Sequence, residues 1–486
     1  MTSIPYTNFE GLLNTGVSDF LLQNNELTAC KNVWVYKIGK LEKVPGYSKA
    51  DSSQVIAGQN VNYLHHYYDT TNRVDYLLAT SDEGSDLTLK YRTTGAWATI
   101  GSISTSWDTY AGSQPDMENY LGKTFIVGYQ SGTTFLPNAT INGTTFSTAD
   151  SDLTNMPQGK YIVRYRDLLY VLHAKESGTV YPSRAYYCDE PSSMAISWTV
   201  STNFIEFGYD DGDQITGAAE ALDRLIVFKH FSMWKYDEST RKKIAEIGCD
   251  SFRSIVKIDK ILYWFNRNGF YRWRGASPEL ISAKAQEFID AIDPSKLDNV
   301  VASKYYGFEY RAFIGNVTVQ GITYNNAWFC FDTRREKCYI RCTYDDVKSV
   351  AEYVEAGKKR TYFGNDNGYV MKFAEKIDEV YDDDGNEIDS FFITKNFDHG
   401  VPESVKFTNH MTVFTKNAVG MNVVVDSDNK DEFKETNKQI LNNNVDTLDF
   451  SVSGNRCRYK FYEKSSSKSW EFEGFVIETD IKEQEQ

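Results

Sequence analysis

Seven short segments of this chain share one pattern, and that pattern limits the fold more than any other feature. Each starts at a charged or glycine turn, runs through four or five strongly β-forming residues, and is followed by a polar residue or glycine. They are Val74–Thr80, Gly122–Gly128, Arg166–His173, Asp223–Lys229, Asp259–Asn266, Tyr310–Gly315 and Lys359–Asn365. In most of them a second aromatic strand comes next: Ser232–Tyr236, Gly269–Trp273, Ala327–Phe331, Gly368–Phe373. The spacing averages a little under about 50 residues, near the repeat length of propeller blades.

A lone four-stranded sheet cannot bury both of its faces. Stacking several radially buries them against one another and leaves only short edges. Residues 61–100 illustrate one such unit, with strands expected at Asn62–Tyr68, Val74–Thr80, Leu87–Arg92 and Ala96–Ile100. The pattern therefore predicts an all-β chain with a β-propeller over residues 59–380, of about seven blades, with six or eight as alternatives. A pair of β-sandwiches also spaces strands regularly and is the competing architecture. A helix is expected only at Ser282–Ile292, with Ala283, Phe288 and Ile292 on one face and Pro294 closing it.

Two regions lie outside the repeat. Residues 1–58 read as an N-terminal arm ending in a hairpin-like stretch, Val33–Tyr47. Residues 381–486 read as a C-terminal β-sandwich able to fold as its own unit, so that deleting 386–486 should spare the propeller. Its strands are expected at Met411–Thr415, Met421–Val425, Leu448–Val452, Cys457–Tyr462 and Trp470–Glu478, with Tyr459, Phe461, Phe472 and Phe475 filling the sheet faces. The boundary falls at the charged turn Tyr381–Asn386.

With 486 residues the chain is long enough for more than one core. Its formal charge of −15 is unsuited to gripping nucleic acid, and better suited to a wall past which phosphates slide. The N-terminus lacks a basic stretch followed by an apolar run, and no apolar segment is long enough to span a bilayer. Seven cysteines without a Cys-x-x-Cys pair suggest reduced thiols and cytoplasmic maturation.

No catalytic, cofactor or metal site emerges. The six histidines (65, 66, 173, 230, 399, 410) include no pair at chelating spacing, and His65 and His66 must point to opposite faces of a strand. Cys338 and Cys342 lack a second pair for zinc. Asp382–Glu387 and Asp210–Asp213 resemble parts of calcium loops, but their first positions hold Val380 and Phe207, so they read as solvated turns. There is no Gly-x-Ser-x-Gly elbow and no phosphate-binding glycine loop. Trp234, Trp264, Trp273 and Trp328 could stack on sugars or bases, but read as core.

The stretches Gly11–Asn14, Asn25–Leu27, Lys31–Val35 and Gly39–Tyr47 resemble the opening of the tail nozzle proteins of short-tailed phages, also described as packaged-DNA stabilisation or tail accessory proteins. Gln214–Gly217, Asp223–Phe228, Ile261–Trp264 and Asn268–Tyr271 resemble their centre, and Arg456–Phe461 with Trp470–Ile477 their final hairpin. The resemblance implies a β-propeller protein of the virion tail, assembled in the host bacterial cytoplasm as a ring, expected to be a hexamer, below the portal and its adaptor. Such a ring continues the DNA channel, helps retain packaged DNA and carries distal tail proteins or fibres. It implies no enzyme, no cofactor and no membrane insertion; double-stranded DNA passes without sequence-specific binding. The alternatives are a propeller that binds a host glycan or receptor and, third, a glycoside hydrolase.

Overall fold

The computed structural model describes residues 2–482, apart from 19–20, 101–106, 193, 428–435 and 466–467. Its architecture is nearly all β, in many small antiparallel sheets. Seven sheets follow one another from residue 61 to residue 373. They span residues 61–99, 114–147, 158–206, 215–245, 256–280, 301–342 and 347–373. Within each, strands pair in essentially sequence order through tight turns. The first strands are neighbours in cyclic order: first to second, on through the seventh, and from Val347–Glu355 of the seventh back to Val61–Asp69 of the first. Between the fourth and fifth sheets the 3-10 turn Phe252–Ser254 supplies that contact.

The seven segments singled out from sequence are the second strands of the seven sheets. Their side chains alternate between two neighbours, as a period of two requires. In Arg224–Lys229, Leu225 and Val227 pack against the third sheet, while Ile226 and Phe228 pack against the fifth. Both faces are thus dry, and the strand reads as a continuous apolar run. Phe228 meets Trp264 at 5.0 Å and Phe270 stacks on Phe329 at 4.4 Å, tying successive sheets together.

The seventh sheet differs from the rest. It takes three strands from residues 347–373, and its outer edge is filled by Tyr47–Lys49, paired antiparallel with Val370–Phe373. The chain then enters the first sheet, so one short N-terminal strand joins the last sheet to the first. Tyr47 is fully buried; its hydroxyl donates to Asp345 Oδ2 at 2.7 Å and accepts from the Asp345 N–H at 3.0 Å.

Residues 1–58 do not stand apart as an arm, and the C-terminal strands are not a unit on their own. Thr2–Thr7 pairs with Glu471–Lys482, and Glu26–Lys31 pairs with Asn386–Thr394. Val33–Trp34 pairs with Leu41–Lys43, which in turn pairs with Glu471–Lys482. The result is two facing sheets built from both ends of the chain, one of them continuous with the seventh sheet. Tyr459, Phe461, Phe472 and Phe475 fill the space between, as expected, with Phe392 against Phe461 at 4.7 Å. Their core merges with that of the fifth to seventh sheets.

Two further expectations change. The helix contracts to Gln286–Asp290 behind a 3-10 turn, Ala283–Ala285; Phe288 and Ile292 are buried, but the tighter turn leaves Ala283 exposed. The turn at 382–387 is not wholly solvated either. Asp383 is buried and ion-paired with the buried Arg341, and accepts the Tyr344 N–H at 3.2 Å. Asn32 braces this pair, its Oδ1 accepting from Arg341 Nη1 at 2.9 Å.

Candidate functional site

The inner strands enclose a central channel with two chambers. The lower, of about 660 Å³, is lined by residues from the first strands of all seven sheets and from the Phe252–Ser254 turn. The upper, of about 370 Å³, lies where several of those strands begin and is rich in amides, among them Asn60, Asn62, Gln114 and Asn316.

Asp116 and Glu118, two apart on Gln114–Tyr120, face the lower chamber together. Asp116 accepts the Ile162 N–H at 2.9 Å through Oδ2, and the Tyr63 hydroxyl and Met117 N–H at 3.0 Å through Oδ1. Glu118 accepts the Arg164 N–H at 3.4 Å and the Asn119 N–H at 3.1 Å. Ile162 and Arg164 belong to the first strand of the next sheet, so the carboxyls supply acceptors that its unpaired inner edge lacks. Burial raises Asp116 to about 6 and Glu118 to about 7, only partly offset by these hydrogen bonds. The pair can therefore hold protons close to neutrality.

The residues weighed from sequence fall elsewhere. His65 and His66 diverge as expected, His65 Nε2 lying 3.0 Å from Asn119 Oδ1 and His66 Nε2 2.7 Å from Asp75 Oδ1. Burial pushes His65, His173 and His399 down to about 4, leaving neutral rings. All seven cysteines are free and buried, and burial raises Cys30, Cys249, Cys338 and Cys342 to about 12, away from the reactive thiolate. Among the described residues no three metal-ligating side chains converge. Trp264, Trp273 and Trp328 are fully buried, each indole N–H donating to a nearby oxygen, while Trp234 is half-buried. The Asp210–Asp213 loop is pinned from below by Lys229, whose Nζ reaches Asp211 at 2.6 Å. Asp116, Glu118 and Arg253 were not legible as a set; the available signal was acidic residues in a strand otherwise suited to burial.

No family model matches the chain, and no curated protein matches it. Among solved structures, two crystal structures of the extracellular domain of BT4673 from B. thetaiotaomicron align with it, described in one case as a one-component and in the other as a hybrid two-component system. They align at 9% and 8% identity, each with a TM-score of 0.42. The alignments cover 73% and 72% of this chain but only 46% and 44% of the neighbours' own length. At this TM-score the likeness carries no functional weight.

Proposed function

We propose that the seven sheets are the blades of a β-propeller, and that the protein is a structural subunit of a phage tail ring that continues the DNA channel. The observation that carries this reading is the path of residues 1–49. These residues bear the most extended resemblance to tail nozzle proteins. They also hold the molecule together, supplying the outer strand of the seventh sheet and strands to both terminal sheets. Such a subunit resists separation of its parts, which suits a component that transmits force between neighbours and withstands packaged DNA. Buried free thiols suit assembly in a reducing cytoplasm.

Electron microscopy of the purified chain, alone and mixed with the portal and adaptor of the same phage, tests the reading. Rings of uniform stoichiometry, or decoration of the portal–adaptor complex, are the expected outcome. A protein that stays monomeric and ignores that complex would overturn it.

A further inference from the structure

The two chambers of the channel meet at one residue. Arg253, in the turn between the fourth and fifth sheets, lines both. Its Nη1 donates to the Lys348 carbonyl at 3.1 Å and its Nη2 to the Asp298 carbonyl at 3.5 Å. Its Nε is buried without an acceptor. Among the described residues no carboxylate forms an ion pair with it; burial presses its pKa down, opposed in part by Tyr129, Asp298 and Tyr63. The guanidinium is half-buried and its hydrogen-bond partners are carbonyls rather than a carboxylate, so it keeps capacity for an anion.

The charges on the walls around it are nearly balanced, although the chain as a whole carries −15, and several of the cations are already ion-paired: Lys257 with Glu220, Lys348 with Asp346 and Arg166 with Glu238. The lower chamber has four Arg and Lys against three Asp and Glu, two of which hold protons near neutrality. The upper chamber has three against two. Its amides also keep spare hydrogen-bonding capacity. Gln114 Oε1 accepts from the Tyr129 hydroxyl at 2.9 Å, leaving its NH2 group. Asn316 Oδ1 accepts the Asn326 N–H at 2.7 Å, leaving its own NH2. Asn62 Nδ2 donates to Asp82 at 2.9 Å, leaving its carbonyl.

We propose that the channel binds an anionic sugar, with its carboxylate or phosphate seated on Arg253 and its hydroxyls among Asn62, Gln114 and Asn316. A planar guanidinium suits either oxyanion, and the amides suit a polyol. The site lies inside each subunit and is independent of whether subunits form a ring.

Calorimetric titration of the full-length protein with galacturonate, galactose 1-phosphate and galactose tests it. Expected is binding of at least one of the two anions, with galactose about tenfold or more weaker. Which anion binds tells whether the site takes a carboxylate or a phosphate ester. Arg253→Gln should weaken that anion about tenfold or more and Arg253→Lys less, with thermal melts confirming that both fold. If Arg253→Gln does not fold, Asn316→Asp on the exposed chamber wall should weaken the anion selectively by like-charge repulsion. Binding by neither anion, equal binding of galactose, or affinity for the anion unchanged in the folded variant would each overturn the proposal.

Discussion

The second strands of the seven sheets and the first strands beside them are one turn apart in sequence and opposite in character. Every second strand carries five or more consecutive buried residues. The first strands mix buried with half-buried positions and put Tyr63, Asp116, Glu118, Arg164 and Glu220 on the channel. A second strand lies between two neighbouring sheets, so apolar content is the only requirement and the same solution recurs seven times. A first strand lines the chamber that all seven first strands share, where polar side chains are accommodated, so each can differ. Repetition marks packing, and departures from it mark where chemistry can be placed.

The largest expected effect comes from removing residues 386–486. If the seven sheets were sufficient by themselves, residues 1–385 would remain soluble and melt cooperatively. Instead, Tyr6 and Phe9 lose Phe475, Glu26–Lys31 loses its partner strand, and the buried Lys43 loses Glu463 at 3.0 Å. Aggregation or loss of the cooperative melt is expected, read by sedimentation and near-UV circular dichroism; a cooperative, monodisperse 1–385 would break this account of the termini. Next in size is Trp264→Ala in a second strand, expected to cost about 3–5 kcal/mol in urea unfolding. Tyr47→Phe should cost about 1–3 kcal/mol, because the Asp345 carboxylate and N–H both lose the hydroxyl. A cost below a few tenths would mean that the closing strand contributes little to stability.

What sequence reading found, and what it missed, follows the same division. The strands of residues 61–100 were legible because turn residues separate apolar runs, and they lie at Val61–Asp69, Val74–Glu83, Asp86–Arg92 and Ala98–Thr99. The C-terminal strands were legible for the same reason. Of residues 1–49 only the hairpin within Val33–Tyr47 was, formed by Val33–Trp34 and Leu41–Lys43; the others were not, because segments of two to six residues such as Leu12–Leu13 and Tyr47–Lys49 are too short for a period to emerge. Thr2–Thr7, Glu26–Lys31 and Tyr47–Lys49 also pair with strands hundreds of positions away, so local pattern cannot indicate that pairing. Asp383 was illegible because Asp-Gly turn chemistry is the same whether the acid meets water or Arg341. Arg253 was illegible because nothing beside it in the chain indicates that seven strands will enclose it.

The smallest effect falls on the first strands and can be read by pH alone. Asp116 and Glu118 titrate at about 6 and about 7 in the folded protein, above their unfolded values near 4. The folded state therefore holds these protons more tightly than the unfolded state does. Their stabilising contribution is complete below about pH 4 and is lost as pH rises through 6 and 7. Asn and Gln keep the accepting oxygen for the Ile162 and Arg164 N–H groups but cannot ionise. The thermal midpoint of wild type minus that of the Asp116→Asn/Glu118→Gln variant should thus fall between pH 5 and pH 8. A change on the order of 1 kcal/mol per residue is expected, other groups cancelling in the difference. A flat difference would mean that solvent in the channel screens both carboxyls, and that the inner strands are less enclosed than their geometry indicates.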